Sequence, residues 1–364
     1  MSPDIAIAAL VHLPAMTPTR LRRLLERWPE PDAAAAAVGA GRAGEALEGL
    51  RCADPADLAG SWARALDTAA AAKVLATRRT RVCWTGHPNY PIEEGIPDRP
   101  AALLSEGDRP DVFERPRVAV VGTRAASPQG LVDARELGSA LADAGVVVVS
   151  GLAIGIDGAV HEGALDAGGA VIGVIATGLD VVYPRRHVAL HERVRGQGLL
   201  VTEQRYGTGP SRERFPIRNR VIAALGDVTA VVEATITGGA RITARAALEY
   251  GRHVLAMPGS RRNGAAAGCN DLLRLGEAHP MLEPADVLEA LGLTGASRRG
   301  PKGGGAPGAT PEERAIHRCL HGEPATADEI AGRTGLGPAE VARAIAGLVR
   351  GGGASRAHGL VWPL

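Results

Sequence analysis

The stretch SRERFPIRNR, residues 211 to 220, sets four arginines around one of the chain's two phenylalanines. Widened to residues 205–220, it carries Arg205, Arg212, Arg214, Arg218 and Arg220 against Glu213 alone, a local charge of +4 in a chain whose net charge is +1. Pro216 suits the first turn of a helix, where its fixed φ fits and its missing NH would have no partner. Val221, Ile222 and Leu225 supply that helix with a buried face. Arg218, Asn219 and Arg220 then fall in its first turn, where each cation opposes the helix dipole by about 0.3–1 kcal/mol at exposed sites. The arginines do not serve helix stability; a polyanion, which meets both the positive helix end and the guanidinium groups, resolves the conflict. Phe215 suits a stacking platform for an unpaired base, worth about 1–3 kcal/mol per base in such sites. Its alternative use is to anchor the loop in the core beneath a solvated basic surface.

Three further stretches carry candidate chemistry. GTRAASPQG, Gly122 to Gly130, sets a small turn with Thr123, Arg124 and Ser127 before a helix. Free backbone NH groups there would bind a phosphate; the same residues also fit an ordinary turn with a solvated arginine. In SGLAIGIDGAVHEGAL, residues 150–165, Gly151 and Gly155 let the backbone turn tightly, and Asp157 reads as a helix cap. Asp157 and His161, four apart on one helix face, form a catalytic pair in outline. No third group stands at a recognisable spacing, so a capping Asp and a structural His are the stronger reading. EATITGGARITARAALEYGR, residues 233–252, puts Gly238 and Gly239 between a strand and a helix with Thr243 nearby, where free NH groups would hold another phosphate.

The elements that position these residues are legible as short apolar runs without polar alternation, the pattern of strands buried on both faces. They are VAVVG (118–122), VVVVSG (146–151), AVIGVIATG (170–178), LLVTE (199–203), VTAVVEA (228–234) and HVLAMPG (253–259), each followed by a helical stretch. Such alternation predicts a doubly wound, mostly parallel α/β sheet of Rossmann-like type, whose ligands bind beyond the carboxyl ends of the strands. Residues 1–78 are alanine-rich with apolar positions at helical spacing and predict a small helical domain; the α/β domain occupies 79–293. The Gly/Pro-rich segment 294–311 reads as a flexible linker. Within 312–364, three helical patterns and a hairpin-like tail predict a winged helix.

Composition narrows the class. A hydrophobic content of 45% supports a buried core, and 41 basic against 40 acidic residues excludes a histone-like polycation, so any basic site must be local. Cys52, Cys83, Cys269 and Cys319 form no metal-spaced pair and read as reduced thiols. The N-terminus lacks a basic segment before its apolar run, and no stretch reaches the roughly 20 apolar residues of a membrane span. A cytoplasmic protein without metal or cofactor is expected.

Tyr90-Pro91, VAVVGTRAAS, VVSGLAIGIDGAVHEGAL, GLDVVYP, LLVTE, FPIRNRVIAAL, VVEA, ITARAALEYGR, AMPGS and GCNDLL, in this order, resemble the DprA/Smf family of DNA-processing proteins. The resemblance covers more than half the chain. It implies an extended Rossmann-like domain that binds single-stranded DNA without sequence preference, protects it, dimerises, and hands the strand to the RecA recombinase in natural transformation. It implies a single-strand-binding protein as a further partner, and no catalytic activity. The family's DNA pocket maps onto Gly122, Thr123, Arg124, Ser127, Phe215, Arg218, Asn219 and Arg220; the residue-level reading adds Gly151, Arg212, Arg214, Gly238 and Gly239. The chain departs from the family at Gly238, where serine is usual.

Two other functions compete. TGGARITARAALE loosely resembles the phosphate and ribose site of nucleotide phosphoribohydrolases, with Gly238, Gly239 and Thr243 as phosphate binders and Glu249 as the catalytic carboxylate. The winged helix, through Arg343 and Arg350, would instead suit a transcriptional regulator.

Overall fold

The computed structural model describes residues 1–50, 54–293, 310–320, 325–350, 354–357 and 360–363. The expected linker lies outside the described residues except for its last two, as does Cys52. The chain forms two compact units, Met1–Ala296 and Ser297–Leu364.

The first unit opens with helices α1 (Pro3–Val11), α2 (Pro18–Arg27), α3 (Pro31–Gly39), α4 (Gly44–Leu47), α5 (Pro55–Ala65) and α6 (Thr68–Arg78). Proline starts four of these six, and Thr17, Asp54 and Asp67 cap α2, α5 and α6 with side-chain oxygens. Helix α1 is buried along Ala6–Val11 without interruption, so it is a core helix rather than an amphipathic one.

A nine-stranded sheet follows: β1 (Arg81–Trp84), β2 (Ala102–Glu106), β3 (Arg117–Val121), β4 (Val147–Ser150), β5 (Val171–Val174), β6 (Gly198–Thr202), β7 (Val228–Val231), β8 (His253–Ala256) and β9 (His279–Pro280). Its order is β1-β2-β6-β5-β4-β3-β7-β8-β9. Strands β3 to β9 run parallel, and β2 pairs antiparallel with both β1 and β6. All six expected strands are present. Strands β1, β2 and β9, which the apolar runs did not mark, extend the edges.

Successive side chains of the central strands enter opposite cores, as a period of two requires. Val118 and Val120 face one side with α7 (Pro128–Asp143) and α8 (Ile156–Asp166); Ala119 and Val121 face the other. After α9 (Val188–Gln197), helices α10 (Arg214–Leu225) and α11 (Gly239–Glu249) cover that second face, and α12 (Ala267–Arg274) and α13 (Pro284–Ala290) complete the unit. From β3 the chain winds outward one way to β6, then crosses back to β7 and winds the other way. The switch point therefore lies between β3 and β7.

Helices α7 and α8 pack at backbone distance through glycine. A Cβ at Gly138 would collide with the Val160 carbonyl, and one at Gly163 with the Arg135 backbone. Alanine at an ordinary helix site improves on glycine by about 1 kcal/mol. Here Gly163→Ala is expected to cost about 1–3 kcal/mol through overpacking, read as a lowered thermal midpoint; an unchanged or raised midpoint would show that the pair is not closely packed.

The second unit contains α14 (Pro311–Leu320), β10 (Ala325–Thr326), α15 (Ala327–Thr334), α16 (Pro338–Arg350), β11 (Ala354–Ala357) and β12 (Leu360–Pro363). Its three strands, ordered β10-β12-β11, form the wing, and Ile316, Leu320, Ile330, Val341, Ile345 and Leu348 form its core. Thr326 and Glu329 close a reciprocal capping box at the start of α15.

Candidate nucleic-acid interface

A groove opens beyond the carboxyl ends of β3 and β7, at the switch point. It is lined by Gly122, Thr123 and Arg124 after β3, by Asp157 in α8, and by Arg212, Phe215, Arg218 and Asn219 around the start of α10. Gly238 and Gly239 at the start of α11 complete it. Of the other expected residues, Ser127, Gly151, Arg214 and Arg220 lie outside this lining.

Helix α10 begins at Arg214, two residues before the expected start, which moves Arg218 out of the first turn. Arg218 sits three and four residues before Val221 and Ile222, hence on the buried stripe, and is only 6% exposed. Its Nη1 donates to the carbonyls of Gly151 (2.5 Å) and Val174. Burial lowers the guanidinium pKa to about 10, countered by the charge of Asp157, so it stays a cation at neutral pH. Burial raises the Asp157 carboxyl, while Arg218 and the backbone at Ala153 favour its anion. Asp157 is the second residue of α8 after Gly155, not its cap. Gly151 is glycine because a Cβ there would run into the Arg218 guanidinium and stand 2.6 Å from Asp157 Oδ2. Its smallness serves the buried arginine.

Below this pair, His161 is fully buried and neither ring nitrogen has a hydrogen-bond partner. Burial depresses its pKa to about 3, and that of His191 to about 4. The unfolded chain takes up these protons near the ordinary value of 6.5 and the folded chain does not. Stability is therefore full above about pH 6.5 and falls as pH drops towards 4. Urea midpoints for wild type and His161→Leu between pH 7.5 and 4.5 are expected to diverge, with the variant losing less on acidification; parallel curves would remove His161 from the acid response.

The remaining outliers have partners of their own. Arg220 projects to the opposite side of α10, where it grips both oxygens of the buried Glu203 carboxylate at 2.7 and 2.8 Å and donates to the Asp98 carbonyl. Arg214 donates to Gly209 O at 2.9 Å. Ser127 caps α7 by accepting from the Gly130 amide, while its own amide and hydroxyl donate to Glu233 at 2.8 and 2.7 Å. Thr123 donates its amide to Glu233 O at 2.7 Å. The carboxylate of Glu233, at the end of β7, thus fills the anion position at the α7 N-terminus that the sequence reading reserved for a phosphate. Gly238 likewise spends its amide on Thr235 O, so it offers no free donor. Asn219 braces the start of α11 by donating to Gly239 O at 3.1 Å.

What faces outward is side-chain chemistry. Arg124 and Arg212 are exposed, and among the described residues neither forms an ion pair. The Arg124 guanidinium carbon stands 4.7 Å from the centroid of the Phe215 ring, and Tyr183 packs on Phe215 at 5.5 Å and 42°. Phe215 is half-buried and belongs to neither hydrophobic core, which excludes the core-anchor alternative. Tyr183, 41% exposed, was missed as a site residue; its signal was the aromatic in GLDVVYP at the end of a strand-to-helix loop.

The rival readings fare poorly on geometry. Glu249 ends α11, about 15 Å of helix rise from the glycines at its start, and pairs with Arg245 at 3.1 Å on the surface. Among the described residues no cluster of His, Cys, Asp or Glu suits a metal, and no helix is long and apolar enough to cross a membrane. Cys83 and Cys269 are buried free thiols, each pushed up to about 12 by burial. In the winged-helix unit, Arg343 and Arg350 line a hollow together with Glu312, Glu313 and Glu340, a charge balance that does not favour DNA.

Residues 81–292 match the family described as DNA recombination-mediator protein A, and residues 301–348 match the DprA winged helix domain. A relative from Mycobacterium tuberculosis, named for the DNA processing protein DprA, is 44% identical over 226 residues, 61% of this chain and 58% of its own. The DNA processing protein DprA of Streptococcus pneumoniae is 42% identical over 53% of this chain and 67% of its own. Its crystal structure superposes with a TM-score of 0.69 at 32% identity, covering 79% of this chain and 98% of that one. DNA processing protein A from Helicobacter pylori, whose structure was described for its single-stranded DNA binding mode, matches at a TM-score of 0.50 and 30% identity, over 54% and 90% of the two chains. The matched segment spans about three fifths of the mycobacterial relative's length. A family match over more than half the sequence, on a sheet of this order, makes the chain a member of the DprA/Smf family of DNA-processing proteins.

Proposed function

We propose that the chain binds single-stranded DNA, without sequence preference, in the groove at the β3/β7 switch point. The observation that carries this reading is the pairing of two exposed arginines that form no ion pair among the described residues, Arg124 and Arg212, with an aromatic pair, the half-buried Phe215 and the exposed Tyr183. Guanidinium groups meet backbone phosphates and rings accept unstacked bases, and neither reads a base edge. The single-strand binding named for the Helicobacter relative agrees with this chemistry.

In this reading the protein acts in the cytoplasm, without catalysis, as a homodimer. It protects incoming single strands and passes them to the RecA recombinase during natural transformation, with single-strand-binding protein as a further partner. Fluorescence anisotropy with labelled dT oligonucleotides over a salt series tests the binding step. Affinity is expected to fall steeply with salt as counterions are released; no binding at low salt, or a preference for duplex, would sink the proposal. Filament assembly by RecA on strands coated with single-strand-binding protein tests the delivery step.

A further inference from the structure

Of the five arginines between residues 205 and 220, the groove uses Arg212, while Arg218 and Arg220 are bound inside the protein. Arg205 and Arg214 face elsewhere. Together with Arg20 of α2 they line a second cleft, of about 450 Å³, on the seam between the N-terminal helices and the sheet. Its apolar lining comes from Val11, Met16 and Leu21 on the helical side and from Ala101 and Ala102 at the start of β2. The two sides are held together: the Trp62 indole fixes the α1–α2 turn by donating to Pro14 O at 2.8 Å, and His12 in that turn stacks on Tyr206 at 5.6 Å and 16°. Among the described residues none of the three arginines forms an ion pair. Arg20 and Arg214 each tie one nitrogen to a backbone carbonyl, of Ala15 and Gly209, and the Arg205 side chain has no hydrogen-bond partner. Glu203 is the carboxylate in the lining, and both its oxygens already accept from Arg220. The exposed Glu213 accepts from the Ser211 hydroxyl instead. The cleft therefore keeps an uncompensated positive charge beside apolar surface.

We propose that a bound single strand continues out of the groove into this cleft, where Arg20, Arg205 and Arg214 meet its phosphates. The inference rests on the reading of the groove as a single-strand site. The two hollows flank one short segment, since Arg212 and Phe215 line the groove while Gly209 and Arg214 line the cleft. A strand that passes Arg212 therefore meets Arg214 next. Guanidinium groups carried on three separate segments, α2, the loop after β6 and the start of α10, suit a chain of charges better than one small anion. Such contacts position a backbone without reading its bases. Through Arg20 the N-terminal helices then become part of the nucleic-acid interface, a role that their own sequence does not signal.

Two dT oligomers separate the possibilities, one of about 6 nucleotides that occupies the groove and one of about 20 that runs past it, lengths bracketing common single-strand site sizes. Arg20→Ala combined with Arg205→Ala is expected to lower the slope of log affinity against log salt by about 1.4 for the long oligomer, at about 0.7 per phosphate contact. The slope for the short oligomer should stay that of the wild type. Arg205→Ala alone, which removes no hydrogen bond or ion pair among the described residues, should lower the long-oligomer slope by about 0.7 and keeps the test open if the double variant unfolds. An azidophenacyl photoprobe on a phosphorothioate near either end of the long oligomer is expected to label residues 12–20 of the wild type. Equal slope losses for both oligomers, or crosslinks confined to the groove, would overturn the strand track while leaving the groove. No slope change with either oligomer would also overturn it, leaving the cleft to an acidic segment of a protein. Weakening of the long oligomer alone by micromolar free dTMP would overturn it in favour of a mononucleotide site. Absence of all single-strand binding at low salt would defeat the groove reading itself.

Discussion

Arg218→Ala is expected to destabilise the α/β unit by about 2–4 kcal/mol, because two charge-assisted hydrogen bonds vanish and two strand-end carbonyls lose their donor. In a unit of this size that is a fall in thermal midpoint of roughly 5–15 °C. The carbonyls concerned, of Gly151 and Val174, terminate the neighbouring strands β4 and β5. The arginine thus ties together two strand ends below the groove. Removing it also leaves the buried Asp157 without the charge that most favours its anion, so Arg218→Ala with Asp157→Asn is expected to recover part of the loss. The distinctive outcome concerns DNA. A cation whose donors are spent inside the protein releases few counterions on binding, so the salt dependence of single-strand affinity, measured well below the midpoint, is expected to stay near that of the wild type. An unchanged midpoint together with a salt slope reduced by about 0.7 would place Arg218 directly on a phosphate.

The arginines of residues 205–220 show where sequence reasoning reached and where it stopped. The parallel sheet was legible because β3, β4, β5, β6, β7 and β8 are buried on both faces and so appear as unbroken apolar runs. Strands β1 and β2 were not, because RVCW and ALLSE mix polar with apolar residues and pair antiparallel at the edge. The groove's position followed from the strand ends. The direction of each arginine did not follow from the first-turn placement expected from Pro216, although one signal was present: Arg218 shares a face with Val221, Ile222 and Leu225, so a buried role was readable. Arg220, two positions on, had no local signal. Its partner Glu203 is brought close only by the sheet, and stands just outside the stretch over which the charge was summed. The same limit applied to the turn after β3. Its amides read as free donors until the fold supplied Glu233 from β7, more than 100 residues away in sequence.

With those groups satisfied internally, the groove's outward-facing chemistry rests on the arginines Arg124 and Arg212 and the rings of Phe215 and Tyr183, and the two residue types are expected to fail in different ways. Arg124→Ala combined with Arg212→Ala should lower the slope of log affinity against log salt by about 1.4, on the basis of about 0.7 per phosphate contact on single strands. The loss should be uniform across sequences. Phe215→Ala should cut affinity about 5- to 150-fold, equivalent to about 1–3 kcal/mol for one stacked base, with the slope nearly unchanged. The contact between the Arg124 guanidinium and the Phe215 ring at 4.7 Å couples the two effects. Exclusion of water by the strand strengthens that contact in the complex, and either single substitution already forfeits the gain, so Arg124→Ala with Phe215→Ala should lose less affinity than the sum of the single losses. Strict additivity would mean that DNA binding leaves the contact unchanged, and a double loss greater than the sum would mean that binding separates the pair, with the ring taking a base on the face the guanidinium now covers. A slope lowered by Phe215→Ala alone would show that the ring acts by holding Arg124 against a phosphate, and the stacking role would fall.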